Sequence, residues 1–377
     1  MSNRPYQLCE RCVMDTSAPD IVFDESGSCN YCSDFLAKSG DILHEDPALK
    51  KERLESLVSK IKKDGKNKSY DCVVGVSGGV DSSWVLVKTV EMGLRPLAVH
   101  MDNGWNSELA QNNISNLVKG LGLDLFTHVI DWEEYRGLMQ AFFDADVVDI
   151  ELLYDNAMLA VNFQLAAKFG VKYILSGFNQ STEGMPLPRY WHTFKYDKKN
   201  IEKIAKKFGN MRLTTFPSIG TFGRVYYELV KGIDWLPFLD YFDYDKFGAM
   251  STLAKRYDYK TYPYKHYESI FTRFYQGYIL PKKFEIDKRR LHFSTLIMTE
   301  KMNRDKALKD LDSIPYPSVQ ALEEDIQYFL KKMQWDKKEL DYYISRDRIE
   351  HEFYGTEEKL YIKLRNIYFK FKKLFRK

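Results

Sequence analysis

Short apolar runs alternate with longer amphipathic segments through the first half of the chain. Residues 70–76 are mainly β-branched and apolar, which is typical of a buried strand in a parallel sheet. Further strands are predicted at 95–101, 124–130 and 172–176, with segments of helical spacing between them. This alternation predicts an α/β fold built on a doubly wound parallel sheet.

The pattern changes along the chain and predicts four regions. Residues 1–45 carry paired cysteines, and residues 46–184 carry the α/β alternation. Residues 185–300 lose the alternation and are expected to form a substrate-binding insertion that returns to the active face. Residues 301–377 show helical spacing only.

The last segment, 359–377, contains no acidic residue. Docking on the protein's own body is the plain interpretation, and contact with a membrane surface or an acidic partner is the alternative.

Composition narrows the class of protein. Of the 377 residues, 44% are hydrophobic and 15% aromatic, which supports a large core and argues against wholesale disorder. Runs such as 241–247 interleave Tyr, Asp and Lys, which suits either packed core or a polar ring-shaped ligand such as a sugar. The net charge is only +3, so no general nucleic-acid surface is predicted. Without a signal peptide or a long apolar stretch, we expect a cytoplasmic protein with no transmembrane segment.

Four of the five cysteines form a C-x₂-C-x₁₆-C-x₂-C pattern, made by Cys9, Cys12, Cys29 and Cys32. This spacing is typical of a four-thiolate zinc site. An iron–sulfur cluster is the alternative from ligand type, and disulfides are disfavoured in a cytosolic chain. Four protein ligands leave no open position on the metal, so a structural role is predicted. Cys72 lies in a predicted strand and is expected to be a small buried hydrophobe.

A glycine-bearing loop follows the first predicted strand and begins a helix. It consists of Ser77, Gly78, Gly79, Val80, Asp81, Ser82 and Ser83. Adjacent glycines let backbone N–H groups approach an anion, and the start of a helix favours negative charge at the same point. The pattern is neither the Walker motif nor the dinucleotide-binding motif. An ordinary strand-to-helix turn with a capping Asp or Ser is the alternative.

The residues S-G-G-V-D-S resemble the PP-loop of the ATP pyrophosphatase superfamily, whose members cleave ATP between the α- and β-phosphates and adenylate a substrate oxygen. The resemblance implies an adenine nucleotide α-hydrolase-like fold that uses ATP and Mg²⁺. By that resemblance Ser77, Gly78, Gly79 and Ser82 hold the departing pyrophosphate, and Asp81 lies near the magnesium ion.

Polar residues also follow the carboxyl ends of later strands, where doubly wound sheets bind ligands. His100 and Asp102 end the second strand and are expected to frame the adenosine half of ATP. Gly177 and Asn179 begin a second glycine-bounded polar loop and are predicted to contact ATP.

Two further groups of candidates lie beyond these. Thr182 and Glu183 in the second loop are predicted to contact substrate or Mg²⁺. A dense charged run at 287–292 precedes an apolar helix, and within it Lys288 and Arg289 are predicted to act on the ATP phosphates. Since charge runs are usually surface, a solvated helix start is the alternative.

Taken together, five segments resemble the N-acetyl sugar amidotransferases of bacterial lipopolysaccharide O-antigen and flagellin-glycan synthesis: residues 9–16, 29–32, 77–83, 177–184 and 286–290. The resemblance implies that ATP adenylates the acetamido oxygen of a nucleotide-linked N-acetyl sugar. Ammonia then forms an acetamidino group, with release of AMP and pyrophosphate. The chain has no cysteine to spare for a glutaminase, so a separate glutaminase subunit is expected, often accompanied by a cyclase-like subunit.

The competing hypothesis is a tRNA-thiolating PP-loop enzyme. Such enzymes need further cysteines for persulfide or cluster chemistry, and none occurs after Cys72. They also need a tRNA surface, whereas the charge here is nearly balanced. The sequence therefore favours the amidotransferase.

Overall fold

A computed structural model describes residues 4–209, 212–262 and 267–374, with side chains up to residue 367. Its strands are β1 (Cys72–Gly75), β2 (Pro96–Asp102), β3 (Leu125–Val129), β4 (Tyr173–Ser176) and β5 (Asp234–Pro237). They form one parallel sheet in the order β3-β2-β1-β4-β5, so the chain leaves the central strand in both directions. The four predicted strands are confirmed, and β5 lies in a region where no strand is predicted.

Helices fill the connections and the C-terminal region. In chain order they are α1 (Asn30–Leu43), α2 (Pro47–Gly65), α3 (Val80–Glu91), α4 (Glu108–Leu121), α5 (Trp132–Asp144), α6 (Leu152–Lys168), α7 (Gln180–Glu183), α8 (Lys198–Phe208), α9 (Thr221–Val225), α10 (Lys246–Tyr257), α11 (Ile270–Phe274), α12 (Leu280–Phe284), α13 (Lys288–Met298), α14 (Arg304–Leu311), α15 (Val319–Met333), α16 (Lys337–Ser345) and α17 (Glu358–Leu374). A π-helical turn, Tyr226–Val230, continues α9. The expected helical C-terminal region is confirmed by α14 to α17.

The sheet separates two cores, because successive side chains of a strand point to opposite faces. In β1, Val73 belongs to one cluster of buried residues, and Cys72 and Val74 belong to the other. Helix α6 contributes to the first cluster, and α3 and α4 contribute to the second. With helices on both faces, the predicted doubly wound α/β class is confirmed.

The N-terminal and C-terminal segments pack on the same body as the sheet. One buried cluster contains Cys9, Val73, Phe271 and Phe329, one from each of the four predicted regions. The division into those regions stays a prediction, and the regions share this core. Within the described ranges, no helix has the length and apolar character needed to cross a membrane.

Candidate active site

The loop between β1 and α3 is held by hydrogen bonds among its own residues. The Ser77 N–H donates to Ser82 Oγ at 3.2 Å, and the Gly79 N–H donates to Ser77 Oγ at 3.3 Å. Gly78 has a φ of +85°, and a Cβ there would lie 2.9 Å from the Ala110 carbonyl oxygen. A side chain at position 78 is therefore excluded by backbone conformation and by space.

Contacts from distant segments fix the same loop from outside. The hydroxyls of Tyr259 and Tyr262 donate to the Gly78 carbonyl oxygen at 2.9 Å and 3.1 Å. Gly177, just after β4, approaches the start of α3 so closely that a Cβ would lie 2.9 Å from the Ser82 nitrogen. The loop therefore lies in a fixed position at the N-terminus of α3, where backbone N–H groups and the helix dipole favour an anion.

Asp81, in the first turn of α3, is paired with residues that follow β5. Lys246 Nζ lies 2.7 Å from one carboxylate oxygen, and the Tyr244 hydroxyl donates to the other at 2.5 Å. Burial and the neighbouring Asp81 carboxylate raise the pKa of Tyr244, so its hydroxyl remains a donor. The predicted place of Asp81 beside a magnesium ion stays a prediction.

The loop and Lys246 line a cavity of about 550 Å³, which we call the loop cavity. The loop residues that line it are Ser77, Gly79, Val80, Asp81 and Ser82. Its other charged side chains are Glu183, Asp245, Lys246, Glu268, Lys301 and the ionisable His292. The two other loop residues, Gly78 and Ser83, are buried and do not line the cavity. Lysines suit phosphate groups, and carboxylates suit a divalent cation, so the lining fits a nucleotide with its metal.

A second cavity of about 550 Å³ adjoins the loop cavity. Its lining is largely apolar and includes Phe178, Met185, Leu187, Leu291 and Phe293. The two cavities share three lining residues, which we call the junction: Thr182, Glu183 and His292. The two residues predicted for substrate or Mg²⁺ thus lie where both cavities meet.

The junction joins α7 to α13. His292 Nδ1 lies 3.2 Å from the Thr182 carbonyl oxygen, and the Thr299 hydroxyl donates to the Ser181 carbonyl oxygen at 3.0 Å. A carbonyl oxygen accepts only from a protonated nitrogen, so a neutral His292 ring carries its basic lone pair on Nε2. The histidine thus contacts α7 at the meeting point of the cavities.

Gly177 and Asn179 have different positions in the second loop. Gly177 lines the loop cavity. Asn179 is buried, and its Oδ1 accepts from the Thr182 N–H and the Ser181 hydroxyl, both at 2.9 Å. Asn179 thus caps α7 and shapes the junction. Its direct contact with ATP stays a prediction.

The charged run that begins α13 has three different sets of partners. Lys288 pairs with Glu151 at 2.8 Å and lines the second cavity. Arg289 also lines that cavity, but its guanidinium donates to carbonyl oxygens within 310–313 and so caps the end of α14. Arg290 turns toward the cysteine segment. Among the described residues of the loop cavity, none of these three is present, and the contact of Lys288 or Arg289 with ATP stays a prediction.

His100 and Asp102 line a separate cavity of about 350 Å³ beside β2 and β3. His100 Nδ1 lies 2.9 Å from the Val76 carbonyl oxygen, and Asn106 Nδ2 lies 3.1 Å from His100 Nε2. Asn106 also donates to Asp102 at 3.1 Å. Burial lowers the pKa of His100, so the ring is neutral. The structure thus links these two predicted adenosine residues to each other, while the described lining of the loop cavity contains neither.

The four N-terminal cysteines converge on one point. Their buried Sγ atoms are separated by 3.9 Å (Cys9–Cys32), 3.7 Å (Cys12–Cys29) and 3.6 Å (Cys29–Cys32). Sulfur atoms placed tetrahedrally about 2.3 Å from a zinc ion are about 3.8 Å apart, so the geometry fits zinc. All five cysteines of the chain are free thiols, which excludes the disulfide alternative here. Within the part of the chain that is described, these cysteines are the one compact group of potential metal ligands.

The segment that carries the first cysteine pair is attached to α14 and to α13, the helix that lines both cavities. Arg304 donates to the carbonyl oxygens of Cys9 and Cys12 at 2.7 Å and 3.0 Å. Arg290, on α13, pairs with Asp15 at 3.0 Å. The cysteine segment therefore supports α13, and through it the junction.

Several site residues escape sequence reasoning. They are Tyr244, Lys246, Glu268, His292 and Lys301. The run 241–247 was noticeable by its interleaved aromatic and charged residues, but that composition does not identify which side chain faces the loop. His292 lies in the charged run at 287–292, but that composition does not show that it faces the loop cavity, and Glu268 and Lys301 carry no local signal.

Comparison with known proteins gives one family model that matches part of the chain. Residues 268–368 match the family model described as LPS biosynthesis protein WbpG-like, C-terminal domain. No curated protein matches the chain. Among solved structures, NMN synthetase from Francisella tularensis is similar at 13% identity over 59% of this chain and 99% of that chain, with a TM-score of 0.30.

NH3-dependent NAD synthetase from Campylobacter jejuni is similar at 16% identity over 56% of this chain and 94% of that chain, with a TM-score of 0.28. Scores this low carry no argument about function. The family match is different, because it includes α13 and reaches well beyond the motifs recognised in the sequence. The match over residues 268–368 confirms the resemblance to lipopolysaccharide biosynthesis proteins.

Proposed function

We propose that the protein is the synthetase component of an ATP-dependent amidotransferase that acts on a nucleotide-linked N-acetyl sugar. ATP adenylates the acetamido oxygen, pyrophosphate leaves, and ammonia displaces AMP to give an acetamidino group. The observation that carries this proposal is the junction, where Thr182, Glu183 and His292 line both cavities. Reactants held in adjoining cavities meet at such a point, which is the main requirement of a reaction between them.

The loop cavity suits the first step. An amide oxygen is a poor leaving group, and adenylation converts it into AMP. Charge on the departing pyrophosphate is stabilised by the N–H groups of the loop and by Lys246 and Lys301. Magnesium supplies further charge neutralisation when it is bound with ATP. Asp81, Glu183 and Glu268 are the oxygen donors that would hold it together with the phosphate oxygens.

We assign the sugar to the second cavity. A mainly apolar lining with a few fixed polar groups is typical of small-molecule sites. The polar groups here include Lys288 and Gln276, which both bind the Glu151 carboxylate. Although burial acts to raise it, the pKa of Glu151 is lowered by Lys288, so this pair stays charged. Lys288 and Gln276 line the cavity, where they offer donors to the sugar oxygens.

His292 suits the second step. When ammonia adds to the adenylated carbon, its nitrogen becomes positively charged and must lose a proton before AMP can leave. A neutral His292 with its lone pair on Nε2 can accept that proton at the junction. The amidine then forms as the bond between carbon and the AMP oxygen breaks.

Ammonia is expected from another protein. A glutaminase requires a reactive cysteine, and all five cysteines of this chain are buried. We therefore propose a separate glutaminase subunit, often accompanied by a cyclase-like subunit.

The burial of the cysteines also disfavours the tRNA-thiolation alternative. Cys72 is fully buried, and burial raises the pKa of its thiol, which makes it a poor carrier of persulfide sulfur.

The test is ammonia-dependent AMP formation from ATP, surveyed over UDP- and CMP-linked N-acetyl sugars. We expect AMP with one sugar only, together with a mass decrease of about 1 Da as oxygen is replaced by NH. The Asp81→Asn variant should lose this activity, and the Lys255→Met variant, altered at an exposed position of α10, should keep it. AMP formation with tRNA and with no sugar would establish thiolation instead.

A further inference from the structure

The segment formed by α9 and its π-helical turn exposes a stripe of large apolar side chains. Phe222, Tyr226, Leu229 and Val230 are 69%, 45%, 50% and 70% exposed. Their spacing of four, three and one residues places them on one face of a helix. Another side of this segment is packed, since Tyr227 stacks on Phe163 with ring centroids 5.3 Å apart. An exposed face this apolar needs an explanation, because isolated apolar residues are ordinary but a contiguous patch is not.

This stripe is fixed beside the start of α17. The Thr221 N–H donates to the Glu357 carboxylate at 2.6 Å. The guanidinium of Arg224 lies 4.5 Å from the ring centroid of Tyr361, and Phe194 stacks on the same ring at 4.9 Å. The two helices therefore form one region of the surface.

The neighbouring helix is strongly basic. Residues 359–377 contain eight Lys or Arg and no Asp or Glu. Lys359, Lys363 and Arg365 are exposed on α17, as are Leu360 and Ile362. The net charge of the whole protein is only +3, so positive charge is concentrated in this part of the sequence.

We propose that this apolar and basic surface binds the polar–apolar interface of an anionic phospholipid membrane. Exposed aromatic and aliphatic side chains beside lysines and arginines are the combination that lies in such an interface, with the apolar residues among the headgroups and acyl chains. The bound surface is cationic, so the lipid it fits is anionic. A second copy of the chain fits poorly, because a symmetric contact would bring two copies of the same basic helix together.

The experiment is co-sedimentation of the full-length protein with phospholipid vesicles. We expect binding to vesicles that contain phosphatidylglycerol and little binding to vesicles of phosphatidylcholine alone. Added salt should weaken the binding, because it screens exposed charges. Absence of wild-type binding to phosphatidylglycerol vesicles, or equal binding to both kinds, would overturn the proposal.

Variants distinguish vesicle binding through this surface from nonspecific hydrophobic binding. The double variant Phe222→Ser, Val230→Ser should bind anionic vesicles at least about tenfold more weakly, since two exposed apolar groups are lost. Val319→Ser and Val129→Ser are matched controls, since these valines are 72% and 68% exposed elsewhere, and they should bind like the wild type. Unchanged thermal unfolding of the double variant shows that it is folded. Self-association of the wild type that disappears in the double variant, without any vesicle binding, would assign the stripe to a second copy instead.

The basic residues are tested separately. The triple variant Lys359→Gln, Lys363→Gln, Arg365→Gln should lose about fivefold in affinity for each charge removed. Lys255→Gln, an exposed lysine on α10, is the control and should keep full binding. Full binding by the triple variant would contradict the role of charge. Because none of these residues lines the loop cavity or the second cavity, the outcome is independent of the proposed enzymatic function.

Discussion

Lys246 and Asp81 form an ion pair at 2.7 Å, although 165 residues separate them in the sequence. The pair joins the start of α10 to the first turn of α3. Tyr244 donates to the other oxygen of the same carboxylate at 2.5 Å. The segment after β5 is therefore part of the loop cavity, and Lys246 contacts the loop that follows β1 directly.

We expect the Lys246→Met variant to lose about 100-fold in the rate of AMP formation, because a cation that stabilises the departing pyrophosphate is removed. Binding of an ATP analogue, measured by calorimetry, should weaken as well. Lys255→Met, on the exposed side of the same helix, is the control and should behave as the wild type. Full activity of the Lys246 variant would show that this lysine serves only to pair with Asp81.

Gly78 provides a test of the loop itself. The Gly78→Ala variant adds a Cβ at a φ of +85° and 2.9 Å from the Ala110 carbonyl oxygen. We expect a loss of about 1–3 kcal/mol in the free energy of unfolding and loss of ATP-analogue binding. Gly122→Ala is the matched control, because its φ is +64° and a Cβ there meets no atom within 4 Å. It should cost about 1 kcal/mol and leave nucleotide binding intact. Equal behaviour of the two variants would contradict the predicted clash.

Lys288 and Arg289 are neighbours in the sequence but are expected to differ in function. Lys288→Met should raise the KM for the sugar nucleotide about tenfold, since Lys288 faces the second cavity. The exposed Lys282→Met variant is its control.

Arg289→Ala should instead lower stability by about 1–3 kcal/mol, because it leaves carbonyl oxygens of 310–313 without their donor. Its KM should stay close to that of the wild type, because the guanidinium is already bound to those carbonyl oxygens and to Asp287. A raised KM in the Arg289 variant, together with an unchanged KM in the Lys288 variant, would contradict this prediction.

Zinc is expected at one ion per chain. Chelation should release it, lower the thermal unfolding midpoint and speed hydrogen exchange in α13, because that helix is bound to the cysteine segment through Arg290. Cys29→Ser should reproduce these effects. Cys72→Ala is the control, since Cys72 lies in β1 away from the cluster, and it should keep the metal. A purified wild-type protein without zinc, or with iron, would contradict this prediction.

A buried histidine predicts how stability depends on pH. Burial lowers the pKa of His351 from an ordinary value of 6.5 to about 4. Its ring bonds Asn200 and accepts from the Asp149 N–H. Between those two values the unfolded chain binds more protons than the folded one, so stability falls as pH drops from about 6.5 to about 4. The loss amounts to about 3 kcal/mol.

Denaturant unfolding measured across that range checks the prediction. The His351→Gln variant should lack this part of the pH dependence, although its stability at neutral pH should be lower. His44→Gln, at an exposed position, should keep the wild-type profile. A profile of the His351 variant that parallels the wild type would assign the acid sensitivity to other groups.

The sequence predicts the structural features that are determined within a short segment of the chain. The loop after β1 is held by bonds between Ser77, Gly79 and Ser82, which lie within six residues. The cysteine spacing likewise brings each pair of thiolates together locally. Such features are visible without knowledge of the tertiary structure.

Features that depend on distant contacts could not be predicted. Strand β5 has four residues and ends in proline, so it shows almost no alternation. The charged run at 287–292 has the composition of a phosphate site, yet its cations bind Glu151, the end of α14 and the cysteine segment. His292 reaches the junction only because α13 packs on α7, 110 residues earlier in the chain. Composition cannot distinguish such partners, because the tertiary fold selects them.

The hydrogen bond between His292 and Thr182 has a thermodynamic consequence. Because α7 and α13 are joined there, neither can move toward one cavity without altering the other. The first reactant to bind is therefore expected to change the affinity for the second, and linkage requires the two effects to be equal in size. An ATP analogue and the sugar nucleotide should thus shift each other's Kd by the same factor, whichever is added first.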